Sequence, residues 1–244
     1  MARSHDTVSE RTLLLIADIG GYTNYMRTHR MSLAHAEVNM SRMLDRVIDA
    51  ASGFDLIEIE GDAAFLSRPA EKLTDSAAVS ATFEAAAAMH RAFHLERRYV
   101  ARNLCPCKGC NEVDSLRLKF VAHIGEVATQ TIRKRQKLVG IDVILVHRML
   151  KNKVGLPEYV LLSEELHRLR DDTVVAAPQE VLHDLEGIGP TRAYVVDVAD
   201  LDASALAAPP DPTVLARLGR TLTVAGSGLP YMLGLRHRRL TSVP

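Results

Sequence analysis

The chain has 244 residues, 47% hydrophobic and 25% charged, enough apolar material for one generous core or a core with a small appendage. Lys and Arg balance Asp and Glu to a formal net charge of zero, so no global positive field favours nucleic acid or an anionic membrane, and any anion site must be local. No apolar run approaches the roughly 20 residues of a membrane helix and no basic, apolar leader is visible, so a soluble, cytoplasmic protein is expected.

Residues 1–11 are polar and are expected to be flexible. In LLLIADIGGYTNYM, the run Leu13 to Ile16 predicts a buried strand over 12–18 that ends on Asp18 and a two-glycine turn. A helical period follows, with Val38, Met43, Leu44, Val47 and Ile48, closed by Gly53. FDLIEIEGDAAFLSR alternates around a Gly-Asp pair, the pattern of a hairpin. Residues 74–101 form a long Ala-rich helix, interrupted by CPCKGC, and SLRLKFVAHIGEVATQTIRKRQ reads as two strands broken near Gly125. DVILVHRMLKNK is helical, and EYVLLSEELHRLR is a short strand running into a helix capped by Ser163. Two last strands, near 178–185 and 191–198, meet at GIGP. The order β-αα-ββ-α-ββ-α-β-α-ββ mixes hairpins with helical crossovers and predicts an α+β fold with a mostly antiparallel sheet. From residue 199 the composition shifts to Ala, Pro and Asp, giving a linker and a tail (199–244) too short for its own core.

A carboxylate at the end of a core strand is costly unless something pairs with it. Asp62, in the hairpin turn, supplies a second carboxylate that a strand pairing would bring to the same sheet edge as Asp18. Two facing carboxylates suit Mg²⁺ or Mn²⁺ with a bound phosphate, and the glycines after Asp18 let backbone amides come close to one. Taken singly, Asp18 could merely cap the helix near Tyr22 and Asp62 could be an ordinary turn residue.

In order and spacing, IADIGGYT, EIEGDAAF, VAHIGEV, GIDVILVHRML, PEYVLLSEEL and LEGIGPTRAYVV resemble the catalytic domain of the class III adenylate and guanylate cyclases over residues 12–198. The resemblance implies a ferredoxin-like fold and a head-to-tail homodimer with active sites at the interface, converting a nucleoside triphosphate to a 3′,5′-cyclic nucleotide and pyrophosphate. It assigns Asp18, Asp62 and the backbone of Ile19 to the metal ions, Gly21, Tyr22 and Thr23 to phosphate contact, and Arg148 to charge stabilisation in the transition state. Base recognition falls to Glu58 and Lys137. An accepting glutamate beside a donating lysine suits guanine or cytosine and fits adenine worst; the two could instead neutralise one another. The chain departs from the family at Ile144, which stands where an asparagine normally orients the ribose. A catalytically impaired relative that binds nucleotide or a partner protein is therefore the alternative to a working cyclase.

Cys105, Cys107 and Cys110 lie in a segment, 102–114, that is an insertion relative to the cyclase pattern. Their Cys-x-Cys-x-x-Cys spacing suits a soft tetrahedral ion such as Zn²⁺, stapling a loop without a core. His90, His94, His123 or Asp114 could complete it. The basic run Arg133 to Lys137 is read as a solvated hairpin rather than a nucleic-acid site, and His147 as an amphipathic-helix residue.

Overall fold

The structure, a computed structural model, describes residues 9–28, 33–103, 112–133, 135–171 and 178–201. The elements are β1 (Ser9–Gly20), α1 (Tyr22–Thr28), α2 (Leu33–Ala50), β2 (Asp55–Glu60), β3 (Ala63–Pro69), α3 (Asp75–Asn103), β4 (Arg117–Ile132), β5 (Arg135–Val139), α4 (Ile141–Met149), β6 (Tyr159–Ser163), α5 (Glu164–His167), β7 (Gln179–Leu185) and β8 (Gly189–Asp197). Short 3-10 turns occupy Glu112–Ser115 and Val198–Asp200. The strands form one sheet in the order β2-β3-β1-β4-β6-β8-β7, with β5 joined to β4. Among the described residues only β4 and β6 pair in parallel, so the α+β, mostly antiparallel architecture with flanking helices is the one observed.

β1 explains why its apolar run does not alternate: both of its faces are buried. Leu13 and Leu15 pack under α2 and α3 with Met43, Val47, Met89 and Phe93. Leu14 and Ile16 face the other way, against Phe65, Val121, and Val146 and Met149 of α4. Alanines dominate the buried stripe of α3, where Ala85 and Ala86 combine high helix propensity with little bulk. Asp18 continues the second face, two residues beyond Ile16.

Two expectations are corrected. β1 is longer than the 12–18 strand at both ends, because β4 pairs with it from Ser9↔Ala128 to Gly20↔Arg117. The strand through Gly125 is unbroken; the chain reverses only at Arg133, whose φ is 58°. Gly125 is needed for space: a Cβ there would run into the Asp142 carboxyl group, which is pressed against the strand from α4. That carboxylate accepts the Glu126 N–H at 2.7 Å and lies 3.0 Å from His123 Nε2. The Ser163 cap is as expected, its Oγ accepting the Leu166 N–H. Cys105, Cys107 and Cys110 and the tail from 202 onward fall outside the described residues. None of the described helices is long and apolar enough to cross a membrane.

Candidate active site

The β2–β3 turn docks on the end of β1 through the Ile19 N–H, which donates to the Asp62 carbonyl at 3.1 Å. In the same place Asp18 sits opposite Ala63 on one side and Lys119 on the other. Cross-strand partners point to one face, which sets Lys119 beside Asp18 at the end of β1, and the charges of both act on the Asp62 carboxyl in the adjoining turn. The Lys119 ammonium lies 2.9 Å from Asp18 Oδ2. Burial, and then the charge of Asp18, push the Asp62 carboxyl up from 3.8 to about 6, against the opposing pull of a backbone hydrogen bond and Lys119. Lys119 loses solvation by burial, yet the hydrogen bond and charge of Asp18 hold its ammonium above the usual lysine value. Two crowded carboxylates, one reluctant to ionise, fit a hard divalent cation through the chemistry of their oxygens. Gly21, with φ +89°, turns the chain away from this point, and its carbonyl accepts the Tyr25 N–H at 3.0 Å to start α1. Tyr22 and Thr23 are the first residues of that helix.

The other sequence-predicted residues lie apart from this cluster. Glu58 stands just past a register shift in β2, and Lys137 in β5 reaches it with Nζ at 3.5 Å, both side chains well exposed. Beside them is a cleft of about 390 Å³ whose lining includes Thr12, Ser67, Gln136, Lys137 and Leu138. Arg148, at the end of α4, is paired with Glu186 of the β7–β8 turn at 2.5 Å. No described hydrogen bond or ion pair joins it to Asp18 or Asp62 in the same chain. Ile144 is 50% exposed on α4, with no polar atom to offer. His147 stacks edge-on against Phe65 and lies 3.5 Å from Glu60.

Sequence reasoning missed Lys119, because only the strand register sets it against Asp18. It also counted His123 among the free ligands for the cysteine segment. His123 is buried between Asp142 and Ser163 Oγ, 2.8 Å from the hydroxyl, on the face of β1 and β4 that α4 covers. α3, which leads into the cysteine segment, packs on the opposite face. Asp114 is exposed, and its carbonyl accepts from Arg117 at 2.7 Å.

The sheet order, the α2/α3 layer and the site at the end of β1 define a domain with the fold of the class III nucleotidyl cyclases. The adenylyl cyclase CyaB of Pseudomonas aeruginosa superimposes with a TM-score of 0.61 over 78% of this chain and 95% of its own, at 16% identity. The guanylate cyclase domain of RhGC from Catenaria anguillulae, in complex with GTP, gives 0.57 over 76% and 95%, also at 16% identity. A class III adenylyl cyclase-like ATP-binding protein of P. aeruginosa gives 0.55 at 16% identity, over 68% of this chain and 36% of that one. At such identities the likeness is one of fold. In sequence, residues 40–159 match the family model described as "Protein of unknown function (DUF2652)". The chain is also 36% identical over 198 residues to "Uncharacterized protein Rv2561/Rv2562" of Mycobacterium tuberculosis (strain ATCC 25618 / H37Rv), spanning 81% of this chain and 90% of that protein, and belongs to its family.

Proposed function

We propose that this chain is a metal-dependent nucleotidyl cyclase that works as a head-to-tail homodimer on a nucleoside triphosphate other than ATP. The convergence of Asp18, Asp62 and Lys119 carries the reading: it combines oxygen ligands for Mg²⁺ or Mn²⁺ with an ammonium that can meet a phosphate. Asp18, Asp62 and the Ile19 carbonyl hold the metal, and Gly21 to Thr23 border the triphosphate. A divalent ion bound there supplies Lewis acidity toward the ribose 3′-hydroxyl and the phosphates. The 3′-oxygen attacks the α-phosphorus, its proton passes to solvent, and pyrophosphate leaves.

The head-to-tail dimer is part of the proposal: Glu58 and Lys137 are paired with one another at the surface, and no described hydrogen bond or ion pair joins either of them to Asp18 or Asp62. A second copy, turned end for end, supplies Glu58 and Lys137 to the base and Arg148 to the charge that develops in the transition state. Glu58 as acceptor and Lys137 as donor favour guanine or cytosine. Ile141 and Ile144, exposed on α4, give that pairing apolar area.

Ile144 favours a second reading, in which the domain binds nucleotide or a partner protein without efficient turnover. Loss of a ribose-orienting hydrogen bond costs on the order of 100-fold in rate. One experiment separates the two: purified dimer is incubated with ATP, GTP, CTP or UTP and Mn²⁺, and cyclic product and pyrophosphate are followed by mass spectrometry beside Asp18→Ala. Product from one nucleotide that vanishes in the variant is the expected result. No product from any of the four, with nucleotide still bound, selects the second reading. The cysteine triplet as a Zn²⁺ staple remains part of the proposal, tested by the metal content of the purified chain.

A further inference from the structure

On the face of the sheet opposite Asp18, three side chains from two separate segments meet without any part in the chemistry above. His90 and His94 stand one turn apart on α3 and so project from one face of the helix. Glu158, the residue before β6, reaches between them: its Oε2 is 3.2 Å from His90 Nε2, and its Oε1 is 2.9 Å from His94 Nε2. The ligand atoms of all three lie within 4.8 Å of one another. Adjacent ligands of a tetrahedral ion with bonds near 2.0 Å are about 3.3 Å apart, so the spacing needs little adjustment to take one. Each imidazole is 14% exposed and the carboxylate 17%, recessed yet reachable from a cleft of about 330 Å³ lined in part by His94, Arg97 and Asp114.

We propose that His90, His94 and Glu158 form a divalent transition-metal site, with Zn²⁺ as the fitting ion. Two imidazoles and one carboxylate are a donor set that zinc accepts, with a fourth position left to water or another group. The carboxylate is aimed by an outer contact, the Leu118 N–H donating to Oε1 at 2.9 Å, the kind of support that metal-binding carboxylates have. Contacts from the two rings and from the Leu118 N–H converge on the Glu158 carboxylate. Arg97 offsets part of the carboxylate's charge from nearby, but its guanidinium is turned to the Leu116 carbonyl at 2.5 Å. The site joins α3 to the start of β4 and the entry to β6, so an ion there ties the helix layer to the sheet.

The test uses the full chain carrying Cys105→Ser, Cys107→Ser and Cys110→Ser, which removes every thiolate, titrated with Co²⁺ and then Zn²⁺. The expected result is the intense visible spectrum of tetrahedral Co²⁺ at one equivalent, bleached by Zn²⁺. A weak six-coordinate spectrum marks binding at the Asp18 and Asp62 carboxylates instead. Adding His94→Gln, or separately His90→Gln, weakens the tetrahedral site by at least about tenfold, with an unchanged far-UV circular dichroism spectrum and no effect on Mn²⁺ binding at Asp18. Glu158 stays in place to accept from Leu118 in both variants, so a fold lost in one leaves the other as the reading. A tetrahedral spectrum that survives both histidine changes, or its absence from the cysteine-free chain, overturns the proposal.

Discussion

Asp62→Asn in the metal-free protein isolates the strain between the two carboxylates. The Asp62 pKa rises from 3.8 to about 6 on folding, burial being the first cause and Asp18 the second. At 1.36 kcal/mol per unit the ceiling is about 3 kcal/mol; solvent screening of a part-exposed group reduces the expected effect to on the order of 1 kcal/mol. Between pH 4 and 6 the native state keeps a proton that the unfolded chain has released, so stability falls as pH rises through that window. Above about 6 the cost is complete, and below about 4 both states are protonated and it is absent. Asparagine keeps the shape and turn chemistry of Asp62 without the charge. Urea unfolding in chelator should therefore show the variant more stable than the parent at pH 7.5 and level with it near pH 4. Saturating Mn²⁺ should reverse the order, because an ion at 100 times its dissociation constant adds about 2.7 kcal/mol to the parent and much less to the variant. A variant no more stable at pH 7.5, or one with the same advantage at pH 4, would refute the facing-carboxylate argument.

Three other changes probe separate parts of the molecule. Gly125→Ala places a methyl group against the Asp142 carboxyl and should cost about 2 kcal/mol by overpacking, read as a lower urea midpoint with an unchanged slope. Lys119→Met removes the ammonium beside Asp18; calorimetry should show triphosphate binding weakened by about tenfold, with Mn²⁺ affinity no lower and nucleoside binding unaffected. Ile144→Asn restores a hydrogen-bonding group on the exposed face of α4 and should raise cyclisation by about 10- to 100-fold at an unchanged melting temperature.

The fold was legible where one physical cause dominates a segment. Leu13 to Ile16 read as a buried strand, which the structure buries on both faces, and the Gly61-Asp62 pair signalled a hairpin turn, where Gly61 has φ +66°. Asp18 and Asp62 were legible as a pair because a hairpin beside β1 has few places to put its turn. Lys119 was not, because the register of β4 against β1 is set by 12 residues of pairing, and no single residue announces it. Gly125 misled for a related reason. A glycine in an alternating strand signals either a break or a close approach, and the group that approaches, Asp142, lies 17 positions later. Glu158 was invisible for the same cause: its partners are 64 and 68 residues away on a helix, and PEYVLLS shows only a polar residue at the mouth of a strand.

The departures from the cyclase pattern differ in what they cost. For the proposed function, the Glu58–Lys137 and Arg148–Glu186 pairs look like obstacles, since each occupies residues assigned there to the nucleotide. Both are exposed, however, and exposed ion pairs contribute roughly 0–1 kcal/mol, so a bound base or phosphate has little to displace. The guanidinium of Arg148 is paired with Glu186 near the protein surface, where the proposed dimer would have little to displace. Ile144 is different in kind. No rearrangement gives isoleucine a donor or acceptor, and its apolar side chain, half exposed on α4, gains from burial against another molecule at about 25 cal/mol per Å². Under the proposed function, the isoleucine that would weaken ribose orientation would therefore also add apolar area to the proposed dimer surface.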